Sequence, residues 1–106
     1  MRIAFTFHNL ESSDTMKSYA TDKVGKLQKY LHAPMTAAVT FSVERHRHCV
    51  DLNIHAGSES YLAREEQEDM YASIDLVVDK IRHQLRRAKD HHSQQRRDAT
   101  VDVPGE

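Results

Sequence analysis

A single cysteine, Cys49, stands among 106 residues. It has no partner for an intrachain disulfide, and it fits a reducing compartment or a buried thiol that acts as a small hydrophobe. Three glycines and two prolines leave no Gly- or Pro-rich linker, so the chain reads as one domain, able to bury roughly 65% of its unfolded surface. Apolar runs are short. None approaches the ~18 residues of a membrane span, and the N-terminal MRIAFTFHNL alternates apolar and polar residues where a signal peptide needs a continuous apolar stretch. These absences point to a cytoplasmic protein with no membrane partner. There is no Gly-rich phosphate loop and no nucleophile motif, and Ser, His and Asp occur without a spacing that brings them together, so the reading is not an enzyme, with no cofactor and no small-molecule substrate. The net charge is −1; a nucleic-acid footprint has to be a local patch.

What is present is periodicity. RIAFTFH places Ile3, Phe5 and Phe7 on one face at period two, a half-buried strand. NLESSD is a turn that offers Ser12, Ser13 or Asp14 as an N-cap. Over residues 14–31 the period becomes helical, with Met16, Ala20, Val24, Leu27 and Leu31 in one stripe and Tyr19 and Tyr30 on its edge. Pro34 ends that helix. MTAAVTFSVE alternates again through Ala37, Val39, Phe41 and Val43; RHRH is a polar turn or strand start; Val50, Leu52 and Ile54 mark a third strand. AGSES is the next turn, YLARE a short edge strand, and a second helix runs from near Asp69 to about His92. The order is β-α-β-β-β-α, an α+β domain over residues 1–92. Its first two strands form a parallel unit around the crossover helix, the later strands form an antiparallel meander, and both helices cover one face of a four-stranded sheet. Residues 93–106, with no period and two breakers, are expected to be a disordered tail.

The second helix sorts its charges end to end. Glu65, Glu66, Glu68, Asp69, Asp75 and Asp79 lie at or before its N-terminal half, whereas Lys80 to Arg97 contains seven Lys or Arg and one acid, Asp90. Acids at the N-terminus and bases at the C-terminus suit the helix dipole at about 0.3–1 kcal/mol each, but that benefit fades within one turn and the basic run spans several. On a helical wheel Met70, Ile74, Val77, Val78, Ile81 and Leu85 form the apolar stripe. Lys80 and Arg87 flank it on one side and Arg82 and Lys89 on the other, with Arg86 and His83 outward. In the first helix Lys23, Lys26 and Lys29 recur every third place, with Lys17 earlier on the same helix. If both helices share a sheet face, these ridges make one basic surface, with the acids segregated elsewhere. Lys and Arg on such a surface replace counterions on nucleic-acid phosphates, and the tyrosines offer faces for an unpaired base.

DMYASIDLVVDKIRHQLRRAK, with VDLNIHA before it and DKVGKLQKYL in the first helix, resembles the ribosome hibernation-promoting factor family, also known as ribosome-associated inhibitors or sigma-54 modulation proteins. The likeness covers residues 1 to about 90. It implies a fold similar to double-stranded RNA-binding domains. The implied function is translation inhibition in stationary phase or stress, without chemistry. The partner it implies is the small ribosomal subunit and its rRNA, bound in the channel that mRNA and the A- and P-site tRNAs use. The family's basic helix positions fall on Lys23, Lys26, Lys29, Lys80, Arg82, Arg86, Arg87 and Lys89. YLAREEQEDM departs from the family's usual Leu-Arg-Ala-Glu run, so the resemblance does not set the register of the fourth strand. Without the second, dimerising domain of the long members, the chain is expected to be a short form, monomeric off the ribosome and unable to pair ribosomes alone.

Two other readings stay open on the residues: a regulator that binds an acidic protein partner, and a general double-stranded RNA module. Metal binding is not expected. His46 and His48 share a strand face that Cys49 does not, His91 and His92 adjoin at a helix end, His55 reads as a packed strand residue, and the acids at 65–69 serve helix capping.

Overall fold

The computed structural model describes the backbone of residues 1–100 and the side chains of residues 1–88. Its elements are β1 (Arg2–His8), α1 (Asp14–Gly25), a 3₁₀ segment (Lys26–Tyr30), β2 (Thr36–Glu44), β3 (Arg47–Ala56), β4 (Glu59–Gln67) and α2 (Met70–Thr100). The four strands form one sheet in the order β1-β2-β3-β4. β1 runs parallel to β2, and the other two pairs are antiparallel. The α+β order expected from the periodicity is the observed one. α2 continues past the expected stop near His92, and the side chains of the expected tail lie outside the described residues.

Register explains the core. Cross-strand partners align Ile3, Ala37, Ile54 and Tyr61 in one row, and Phe5, Val39, Leu52 and Ala63 in the next. Phe7, Phe41 and Val50 complete the face, and the ring centroids of Phe7 and Phe41 lie 4.9 Å apart. Because side chains alternate between faces, this single apolar face has to be covered. α2 lies over β3 and β4 and α1 packs beside α2. Met16, Ala20 and Val24 from α1 join Met70, Ile74, Val77, Val78, Ile81 and Leu85 from α2 in one cluster with the sheet. Each helix has its start fixed by a side chain. Ser13 Oγ accepts from Met16 N at 3.2 Å, and Asp69 Oδ2 accepts from Ala72 N at 3.0 Å, each satisfying a donor that the helix leaves unpaired. Buried Ser73 donates its hydroxyl to the His48 carbonyl at 2.6 Å, tying the start of α2 to β3.

Four local readings are corrected. The first helix tightens to 3₁₀ after Gly25, so it is not α-helical to residue 31. β4 is nine residues long, not a short strand over YLARE. Its backbone ladder to β3 continues through Glu65, Glu66 and Gln67 whatever their side chains, and Glu65, on the helix-side face, is satisfied by Lys80 at 2.8 Å. His46 sits in the two-residue turn between β2 and β3 and does not share a strand face with His48, while His55 is exposed, not packed. Tyr61, half-buried at the sheet edge, has its hydroxyl pKa pushed up to about 12 by burial and by its hydrogen bond to Glu59.

Candidate nucleic-acid interface

α1 with its 3₁₀ continuation forms one ridge and α2 the other, and a groove of about 360 Å³ runs between them. Lys23, Lys26 and Lys29 line one wall and Arg82 the other, over a floor that includes Leu27 and Val78. Lysine at every third position is well suited to this backbone, because residues three apart eclipse in a 3₁₀ turn. The tightening after Gly25 therefore sets Lys26 and Lys29 one above the other on the groove side. Lys29 Nζ lies 5.4 Å from the centre of the Tyr30 ring, and Lys23 Nζ lies 5.4 Å from that of Tyr19.

The groove is not purely basic. Asp75 and Asp79 line it as well, against the expectation that acids keep to other surfaces, because positions 75, 79 and 82 share one edge of a helix. Both acids are engaged. Asp75 Oδ1 accepts from the Tyr19 hydroxyl at 2.8 Å, and Asp79 is paired with Arg82. The bond to Asp75 raises the Tyr19 pKa, with burial and the charges of Asp75, Asp69 and Asp22 adding to it. Tyr19 also packs edge-on against Tyr71 at 5.0 Å. Its ring is thus part of the helix–helix contact. Lys26, Lys29 and Arg86 are exposed and make no ion pair among the described residues.

Across α2 lies a second hollow of about 600 Å³, lined by Arg64, Lys80, His83, Gln84 and Arg87 among others. Lys80 donates to the Arg64 carbonyl at 3.1 Å and Gln84 to the Leu62 carbonyl at 3.1 Å. These bonds occupy acceptors of a sheet-edge strand that could otherwise template another chain. Arg64, absent from the sequence reading, faces its register partner Asp51 at 2.7 Å, and this bond raises its already high pKa. Only the β3–β4 register, which periodicity did not supply, would have singled it out.

Of the eight basic positions taken from the family likeness, Lys23, Lys26, Lys29 and Arg82 meet in the inter-helix groove. Arg86 follows Arg82 by one turn. Lys80 and Arg87 lie across α2, with Lys80 held by Glu65. The side chain of Lys89 lies outside the described residues, as do those of His91 and His92. The arrangement offers fixed cations to a polyanion on both flanks of one helix.

Comparison with known proteins agrees with this fold. The chain is 34% identical over 90 residues to a ribosome hibernation promoting factor of Salmonella typhimurium, covering 85% of this chain and 95% of that one. It is 29% identical over 107 residues to one of Azotobacter vinelandii, covering 98% and 100%. The N-terminal domain of Thermus thermophilus Protein Y superposes with a TM-score of 0.76 at 26% identity, covering 82% of this chain and 98% of that domain. The model of one family, sigma 54 modulation protein / S30EA ribosomal protein, matches residues 3–93. With that match running from β1 into the basic half of α2, the chain belongs to this family.

Proposed function

We propose that the protein binds the small ribosomal subunit in the channel used by mRNA and by the A- and P-site tRNAs, and so silences translation in stationary phase or stress. The observation that carries this is the set of exposed cations Lys26, Lys29 and Arg86, none of them in an ion pair among the described residues, with Lys26 and Lys29 on the first ridge and Arg86 one turn past Arg82 on α2, while α2 begins among acids. The names of its relatives, ribosome hibernation promoting factors, supply the ribosome. rRNA is read mainly by shape and phosphate, so two cationic flanks on a rigid helix suffice and no base-reading side chain is required. No group in this reading performs chemistry: the protein occupies space. It acts in the cytoplasm as a monomer until it meets the subunit.

Competition tests the proposal. Small subunits preloaded with mRNA and tRNA should bind the protein at least about tenfold more weakly than empty ones, a difference of roughly 1.4 kcal/mol. Equal binding to empty subunits, loaded subunits and free RNA duplex would instead indicate a general double-stranded RNA module. Failure to sediment with any of them would favour an acidic protein partner.

A further inference from the structure

Two hairpins of the sheet turn through two residues each. The pairs Glu44↔Arg47 and Ala56↔Glu59 close Arg45–His46 and Gly57–Ser58. In both, the first turn residue has positive φ: 63° at Gly57 and 58° at Arg45. Glycine takes this conformation freely, whereas an L side chain is crowded there. The fold meets the same backbone requirement with the expected residue in one hairpin and with an arginine in the other. Strain of this kind, held by the surrounding structure, points from the outlier toward a role for its side chain.

The surroundings of Arg45 fit such a role. Arg45, His46 and Arg47 are all exposed. Arg47 is engaged with Glu66, its Nε 3.3 Å from Oε1, but Arg45 makes no ion pair among the described residues. The hollow beneath the tip is lined by Asn9, Val43, Glu44, Arg45 and Arg47, polar but for Val43. A phosphate contact needs an accessible cation and no apolar centre. The tip also stands apart from the helix groove. β3 leaves it beside the start of α2, where Ser73 bonds His48, and Arg82, the groove's cation on α2, lies roughly 14 Å further along that helix at about 1.5 Å per residue.

We propose that the β2–β3 hairpin tip, through Arg45, is a second point of contact with the RNA phosphate backbone, separate from the inter-helix groove. This rests on the RNA-binding reading above. Three proteins decide it, wild type, R45G and R45K, each melted and each co-sedimented with small subunits across a salt series. R45G removes the crowding and the charge together. It should melt about 2–4 °C higher, glycine's extra freedom in the unfolded chain offsetting part of the relief. It should bind about 3–10-fold more weakly near 100 mM salt, with a log–log salt slope shallower by about one. R45K keeps the charge and the crowding, and should match wild type in both readouts. R45G with wild-type affinity and slope overturns the proposal, as does R45G that melts no higher than wild type. Wild-type protein that does not sediment with small subunits overturns the underlying reading and this proposal with it.

Discussion

Ile74→Asp is expected to leave no cooperatively folded domain at 25 °C. Ile74 is 1% exposed and belongs to the cluster that joins α2 to the sheet. The substitution removes about 2–3 kcal/mol of apolar burial. It also places a carboxylate where no cation or donor waits, a further several kcal/mol even after the group takes up a proton. The sum exceeds the ~4–5 kcal/mol that marks an exceptional mutation and rivals the whole ~5–15 kcal/mol stability of a domain. Circular dichroism through a thermal or urea transition reads it. Leu76→Asp, two positions away at 38% exposure, is the control and should cost under about 1 kcal/mol. A sharp Ile74→Asp melt within a few degrees of wild type would mean that α2 is not docked through this stripe.

Reversing Lys26, Lys29 and Arg86 together to Glu should weaken binding to small subunits on the order of 100-fold or more near 100 mM salt, because three phosphate contacts become repulsions. All three side chains are exposed. Each change should cost under about 0.5 kcal/mol, so the melting temperature should fall by no more than about 10 °C. Arg82 is the weaker choice, since its loss also frees Asp79 and mixes a structural effect with a binding one. Lys80 is weaker for the same reason, being held between Glu65 and the Arg64 carbonyl. A triple variant that binds normally would move the contact elsewhere on the molecule; one that unfolds would mean these lysines stabilise the 3₁₀ turn.

Elements with a clean period were legible without coordinates. β1 stands where RIAFTFH placed it, and the α2 stripe Met70, Ile74, Val77, Val78, Ile81, Leu85 is the buried one. β4 was read too short because Glu65, Glu66 and Gln67 carry no apolar alternation, and only pairing to β3 makes them a strand. The groove was half legible. Lys23, Lys26, Lys29 and Arg82 announce themselves by spacing, but Asp75 meets Tyr19 across 56 positions of sequence, a distance that no local pattern spans. The same holds for Arg64 and Asp51, brought together by register alone. The φ of Arg45 had no signal at all, since arginine is not the residue that a positive-φ turn position advertises.

The most direct measurement is co-sedimentation of the wild-type protein with isolated small subunits from 50 to 300 mM salt. A log–log slope of about −4 to −7 is expected, corresponding to roughly five to eight phosphate contacts supplied by the two flanks of α2, the lysines of the first ridge and the hairpin tip. Binding that is absent at low salt, or that holds with a slope near zero, would contradict an interface made of cations on RNA.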